Sequence, residues 1–187
     1  MTTPRCPSTR VVKHPYRTEI MRGMRLLAEQ PNSIFFGQGV KYKAHALSSQ
    51  IEELGLPDDR RIEMPVFENT QVGMALGMAM AGLLPVCVIP RVNFLLCAVD
   101  QLVNHIDKYE KMVGKPIKVI ILTQTGATEP LDPGPQHSGN YCKALDKMLG
   151  TVNVINLQND GMVYHHFEDS VINADNSTVL VQRGDLL

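Results

Sequence analysis

The first candidate for chemistry in this sequence is Glu68, a single carboxylate that precedes an apolar segment. Residues 72–82, which follow it closely, are all small or apolar. Glutamate is almost never buried without a partner. One interpretation is a carboxylate that faces the positive end of a helix dipole, a common and modestly stabilising arrangement. The other is an acid held in a dry site so that it can share a proton. The segment alone favours the first interpretation.

A second group of candidates follows the apolar run 84–89. Arg91 could bind an anionic substrate group, because a guanidinium binds carboxylates and phosphates in a bidentate manner. Asn93 and Phe94 come next, and an aromatic side chain can pack on a flat ring. The alternatives are a solvent-facing arginine and a phenylalanine of the core.

A third group lies in the proline-rich segment 126–139, which is too long for a tight turn. It contains Gln136 and His137. Histidine commonly donates protons or hydrogen bonds at neutral pH. The alternative for His137 is a solvated loop residue.

The elements that position these groups alternate between strands and helices. Apolar runs predict five strands, at 33–37, 84–89, 118–123, 152–156 and 178–182, and residues 61–64 are interpreted as a short strand or an extended link into Glu68. Helical spacing predicts six helices, at 18–30, 46–54, 69–81, 95–112, 141–149 and 162–173. This alternation predicts a three-layer α/β/α fold with a mostly parallel central sheet. Ligands on such folds bind beyond the carboxyl ends of the strands, where all three candidate groups lie.

The domain organisation predicted for the 187 residues is simple. Residues 1–16 are interpreted as an irregular N-terminal arm, and residues 17–187 as one α/β domain. The net charge of −1 argues against a nucleic-acid or membrane-surface partner. No run of eighteen apolar residues and no signal-peptide pattern is present, so we expect a cytoplasmic location. The four cysteines show no metal-binding spacing, and we expect no metal ligands in this chain.

In their order and spacing, the three groups resemble the pyrimidine-binding domain of thiamine diphosphate enzymes, within the transketolase-like group. The closest likeness is to the N-terminal half of the β subunit of 2-oxoacid dehydrogenase E1 components. It covers roughly residues 17–187 and is more specific for the domain than for the substrate. The matching residues are Glu68, Gly73, Gly77, Met80–Gly82, Pro85, Asn93–Phe94, Ala98–Gln101, Gln136–Ser138 and Val179–Gln182.

The resemblance implies roles for these residues and reverses the interpretation of Glu68. In that family the matching acid hydrogen-bonds a ring nitrogen of the aminopyrimidine and favours its imino form, which activates the cofactor. Phe94, with Asn93, would bind the same ring. His137, with Gln136, would face the reacting substrate. Arg91 stands where the family usually has an uncharged residue, and we expect it to bind an anionic group of the substrate.

The family's Gly-Asp-Gly segment, which holds the diphosphate through Mg²⁺, is absent from this sequence. We therefore expect thiamine diphosphate as cofactor, with Mg²⁺ held by an α-like partner subunit that carries the diphosphate-binding domain. A close helix contact at Gly73, Gly77 and Ala81 would join two copies within an α2β2 heterotetramer, although packing inside the chain also favours small residues. The second domain typical of E1 β subunits is not expected here.

The resulting hypothesis is the β-like subunit of a two-component enzyme. It would activate the cofactor for attack on the carbonyl of a 2-oxo acid or ketose. Decarboxylation, oxidative decarboxylation or acyl or ketol transfer would follow. The alternative is a non-catalytic assembly or regulatory subunit that retains the fold. A weaker alternative is a homodimer that binds only the pyrimidine moiety.

Overall fold

A computed structural model describes residues 15–127, 129, 132–158 and 161–187. Of the arm expected over residues 1–16, residues 1–14 lie outside the described part of the chain. Pro15 and Tyr16 already belong to the first helix. The domain expected over 17–187 thus includes all the described elements beyond that helix's first two residues.

Six strands form one sheet in which every pair is parallel, with the order β2-β1-β3-β4-β6-β5. Their bounds are β1 Ser33–Gly37, β2 Arg61–Glu63, β3 Leu84–Val88, β4 Ile120–Gln124, β5 Asn153–Asn156 and β6 Thr178–Gln182. Every residue of β3, β4 and β6 is buried, as continuous apolar strands require in a sheet covered on both faces. The predicted parallel sheet is confirmed.

Helices connect the strands. Their bounds are α1 Pro15–Glu29, α2 Ala46–Glu53, α3 Glu68–Met80, α4 Val92–Leu95, α5 Asp107–Val113, α6 Cys142–Met148 and α7 Val163–Glu168. The single helix predicted over 95–112 is wrong in detail. Between α4 and α5 the chain forms a 3₁₀ turn at Leu96–Ala98 and a π-helical segment at Gln101–Ile106. Asp107 N–H bonds Leu102 O, five residues back, and the spacing of apolar residues cannot distinguish this wider turn from an α-helix.

Two apolar cores, one on each face of the sheet, complete the three layers. The first joins α1, α2 and α7 to the sheet, through fully buried residues such as Met24, Leu47 and Phe167. The second joins α3, α6 and the segment between α4 and α5, through residues such as Val72 and Leu145. The three-layer α/β/α prediction is confirmed. Within the described ranges, no helix has the length and apolarity needed to cross a bilayer.

Candidate functional site at the carboxyl edge of the sheet

The strand order brings the candidate residues to one edge. Glu68 lies beyond β2, and Arg91 and Phe94 lie beyond β3. His137 lies beyond β4. Strand β1 separates β2 from β3, so the residue that follows β1, Gln38, stands between the first two groups. Adjacent strands are about 4.8 Å apart, which places the ends of β2 and β3 about 10 Å from each other.

Glu68 is the first residue of α3, and only 8% of it is exposed. The helix start has no side-chain cap, so its N–H groups and dipole favour a negative charge there. One carboxylate oxygen, Oε1, accepts a hydrogen bond of 2.9 Å from Gln38 Nε2. The other has no hydrogen-bonding partner among the described residues. The acid therefore faces the helix dipole and is also buried with one oxygen free, while proton sharing by Glu68 stays a prediction.

Sequence reasoning missed the two glutamines around this carboxylate. Gln38 Nε2 donates a second hydrogen bond, of 2.8 Å, to Gln71 Oε1. Gln71 is fully buried in the first turns of α3, and its Nε2 lies 3.4 Å from Val88 O. The available signal was Gly37-Gln38-Gly39, a polar residue between two glycines directly after an apolar strand.

Backbone geometry holds Gln38 in this position. Gly37 has φ +136°, and a Cβ there would lie 2.2 Å from Val88 O, so only glycine fits. Gln38 N–H bonds Val88 O at 3.1 Å, which fastens the loop to the end of β3. Glu63, the last residue of β2, accepts the N–H groups of residues 39, 40 and 41 at 2.8, 2.7 and 2.8 Å. The loop after β1 is thus held on both sides.

Phe94 and His137 come together from different strands. Their ring centroids are 5.3 Å apart and the planes are inclined by 80°, an edge-to-face pair. The loop that carries His137 can approach Gly126 closely because glycine has no Cβ. A Cβ on Gly126 would lie only 2.2 Å from His137 O. Both rings are half-buried, which leaves part of each available to a ligand.

Two buried polar atoms in this region have no hydrogen-bonding partner among the described residues. They are Asn93 Oδ1 and His137 Nδ1. Unsatisfied buried polar atoms are costly and are therefore rare in folded proteins. With the half-buried ring of Phe94 and the free oxygen of Glu68, they fit a flat, polar heterocycle better than an apolar ligand. Gln136, by contrast, is exposed.

Arg91 lines a neighbouring cleft of about 260 Å³ together with His45 and Gln124. Burial lowers the pKa of its half-buried guanidinium. His45 caps α2: its Nδ1 accepts Ser48 N–H at 3.2 Å, and its Nε2 lies 3.0 Å from Gln38 O. Burial lowers the pKa of His45. The hydrogen bond to Gln38 O opposes this shift, whereas the positive charge of Arg91 lowers the pKa further.

The small residues of α3 divide between two environments. A Cβ on Gly73 would lie 3.2 Å from Gln101 Oε1, so Gly73 packs inside the chain. A Cβ on Gly77 would have nothing within 4 Å, and Gly77 and Ala81 are exposed. Packing inside the chain therefore accounts for Gly73, whereas the contact between two copies at Gly77 and Ala81 stays a prediction. Among the described residues, no group of three or more His, Cys, Asp or Glu side chains could hold a metal ion.

Known proteins show similarity in sequence and in structure. The chain is 36% identical over 83 residues to the human mitochondrial pyruvate dehydrogenase E1 component subunit beta, covering 43% of this chain and 23% of that protein. It is 34% identical over 93 residues to the corresponding subunit of Rickettsia conorii, covering 49% of this chain and 28% of that protein. The chain thus spans about a quarter of the length of these relatives. No protein-family model matches it.

Among solved structures, a split-gene transketolase described as an inactive β4 tetramer has a TM-score of 0.65 and 16% identity. The match covers 90% of this chain and 50% of that one. At this identity the structural likeness concerns the fold. Sequence and structure agree: over part of its length the chain is homologous to the pyruvate dehydrogenase E1 β subunit, and its fold is transketolase-like.

Proposed function

We propose that the chain is the β-like, pyrimidine-binding subunit of a two-component thiamine diphosphate-dependent enzyme. The enzyme acts on a 2-oxo acid or ketose carbonyl and carries out decarboxylation, oxidative decarboxylation or acyl or ketol transfer. The observation that carries the proposal is Glu68, a buried carboxyl with one oxygen hydrogen-bonded to Gln38 and the other free.

The role of Glu68 is to hold a proton at a ring nitrogen of the cofactor. A carboxyl that shares a proton works best when its position is fixed and water is excluded. The hydrogen bond from Gln38 fixes one oxygen, and the first turn of α3 fixes the backbone. The other oxygen has no partner among the described residues and would be available to the ring nitrogen.

The bound cofactor supplies a carbon nucleophile for the substrate carbonyl. Phe94 would provide an apolar face for the aminopyrimidine ring of the cofactor, and Asn93 Oδ1 would accept a hydrogen bond from the amino group of that ring. His137 stands edge-on to Phe94, so it lies beside a ring packed there. From this position its imidazole can donate a proton or hydrogen bond to the oxygen of the reacting carbonyl. Gln136 and Arg91 would bind the remainder of the substrate.

A partner subunit completes this proposal. The diphosphate and its Mg²⁺ need hard oxygen ligands in near-octahedral geometry. We assign these to an α-like subunit with the diphosphate-binding domain, in an α2β2 heterotetramer in the cytoplasm. The β-subunit designation of the relatives supports the assignment. The inactive state of the split-gene transketolase β4 tetramer agrees with a chain that needs a partner.

The test is to purify the chain with its α-like partner and to assay release of CO₂ from a panel of 2-oxo acids. The Glu68→Ala variant should lose at least about 100-fold in turnover, the contribution typical of positioned acid–base groups. Glu110→Gln changes an exposed carboxylate and serves as the control with unchanged turnover. Undiminished turnover in Glu68→Ala would favour the assembly or regulatory subunit instead.

A further inference from the structure

A cleft lies beside the proposed site, and the proposed function does not say which part of the substrate occupies it. It is lined by Arg91, His45 and Gln124, with Ala127 and Asp185 among its other residues. We propose that this cleft binds the end of the substrate remote from the reacting carbonyl, and that this end carries one carboxylate and one hydroxyl group. The inference rests on the proposed function and specifies its substrate class.

The anionic part follows from Arg91. Its guanidinium is half-buried, and its one hydrogen bond among the described residues is a long contact of 3.5 Å from Nη1 to Pro90 O. No ion pair of Arg91 occurs in the described part of the chain. A partly buried charge without a counter-ion is unfavourable, and a carboxylate ligand would supply both the counter-charge and a bidentate acceptor.

The hydroxyl follows from Gln124, the last residue of β4. Only 2% of it is exposed, and its Oε1 has no hydrogen-bonding partner among the described residues. A buried acceptor without a partner is costly, and a ligand hydroxyl would supply the donor that Gln124 Oε1 lacks. A hydroxyl suits it better than an ammonium group, because the same cleft already contains the guanidinium of Arg91.

The other charged groups limit the ligand to a single negative charge. His45 adds no cation, because its Nδ1 already accepts a backbone N–H and burial lowers its pKa. Two acids, Glu129 and Asp185, also line the cleft. The Asp185 carboxylate is already bound by Arg183, with Nε at 2.7 Å from Oδ1. With Asp185 bound by Arg183, the cleft holds one guanidinium and one further acid, a balance that favours a singly charged carboxylate over a phosphate dianion.

Gln38 connects this cleft to the proposed catalytic carboxyl. Its backbone oxygen contacts His45 in the wall of the cleft, at 3.0 Å. Its side chain donates to Glu68, at 2.9 Å. A substrate whose carbonyl lies near Glu68 could therefore extend past Gln38 to Arg91.

The test measures binding without cofactor or turnover. Lactate, propionate and inorganic phosphate are titrated into the ¹⁵N-labelled full chain, and the amide shifts of Ala127 and Gly184 in the cleft are followed. Lactate should bind more tightly than propionate by about fivefold, the effect of one neutral hydrogen bond, and more tightly than phosphate. Equal affinities for lactate and propionate, or tighter phosphate binding, would overturn the proposal without any variant.

Variants then assign the contacts. Arg91→Gln should weaken lactate binding by at least about tenfold, and Arg91→Lys by less, since it keeps the charge but loses the bidentate geometry. Gln124→Leu should reduce lactate affinity to that for propionate. Arg25→Gln removes an exposed arginine and is the control with unchanged binding. Unchanged lactate affinity in Arg91→Gln would refute the proposal that the cleft binds a carboxylate. The Glu68→Ala assay would still test the proposed function independently.

Discussion

Gln38 Nε2 donates to Glu68 Oε1 and Gln71 Oε1 at once, at 2.9 and 2.8 Å. All three side chains are at least nine-tenths buried. A single amide group therefore sets the position of the carboxylate on which the proposed chemistry depends. Gln38 itself contacts no reacting atom in this arrangement, so it is a positioning residue.

Replacing Gln38 by Leu should weaken cofactor binding in the assembled enzyme by about tenfold, because Glu68 then loses its only hydrogen bond among the described residues. Isothermal titration calorimetry with thiamine diphosphate and Mg²⁺ measures the change. Gln50→Leu is the matched control, since Gln50 is also a buried glutamine and pairs with Gln182 rather than with Glu68. Equal losses of affinity in the two variants would show that Gln38 acts only through stability.

Glu63 holds the loop that carries Gln38, because its carboxylate accepts three consecutive backbone N–H groups. Glu63→Ala should lower the free energy of unfolding by about 1.5–3 kcal/mol, the range for hydrogen bonds to a charged group. Urea denaturation measures this loss. Hydrogen exchange should also accelerate at residues 39–41 more than at β4. Uniform acceleration along the chain would contradict a local role for Glu63.

Periodicity in the sequence was sufficient for the sheet and for its carboxyl edge. Strand β6 has the predicted bounds, Thr178–Gln182, because a strand buried on both faces consists of a short run of mainly apolar residues. The same rule could not find Gln38, whose role depends on a hydrogen bond to a residue 30 positions away. Nor could it find the π-helical segment before Asp107, since apolar spacing is similar in both kinds of helix.

For the site, the resemblance predicted more than the residue pattern did. Nothing in local sequence relates Phe94 to His137, yet the fold brings their centroids within 5.3 Å. The cleft around Arg91 was only half foreseen. Arg91 was singled out by its charge, whereas Gln124 ends an apolar strand, and its unpaired oxygen becomes evident only in three dimensions.

Asp107 should make the stability of the chain depend on acid pH. Only 1% of it is exposed, and its Oδ1 accepts the N–H groups of residues 150, 151 and 152. Burial alone would raise the pKa of Asp107, but the hydrogen bonds from Lys108 and from these N–H groups outweigh it and hold the pKa far below its usual range. The folded carboxylate therefore contributes stability above the unfolded pKa of about 3.9, and this contribution is lost as the pH falls.

The variant Asp107→Asn removes this contribution. At pH 7 it should lower the free energy of unfolding by about 2–3 kcal/mol, and the difference from the wild type should shrink as the pH falls below about 4. Urea denaturation at pH 7 and at pH 3 measures both values. Asp146→Asn, which changes an exposed carboxylate, is the control. A difference that stays constant down to pH 3 would exclude a titrating role for Asp107.

The exposed surface of α3 should be a site of assembly. The helix is apolar around most of its circumference, so part of its apolar surface faces outward. Met80 is 61% exposed, and Phe67, just before the helix, is 62% exposed. Exposed apolar patches of this kind mark interaction surfaces. The open space around Gly77 would allow a second helix backbone to approach closely.

Met80→Lys should therefore weaken assembly, because association would bury its charge. Analytical ultracentrifugation of the chain, alone and with its α-like partner, should show a shift toward smaller species. The dissociation constant of the assembly should rise by at least about tenfold. Met112→Lys is the matched control, since Met112 is 63% exposed but lies on α5. Gly77→Leu should act like Met80→Lys while leaving the folded chain intact, because Gly77 is exposed and a Cβ there would have no described atom within 4 Å. Normal assembly of both α3 variants would place the contact between copies elsewhere on the surface.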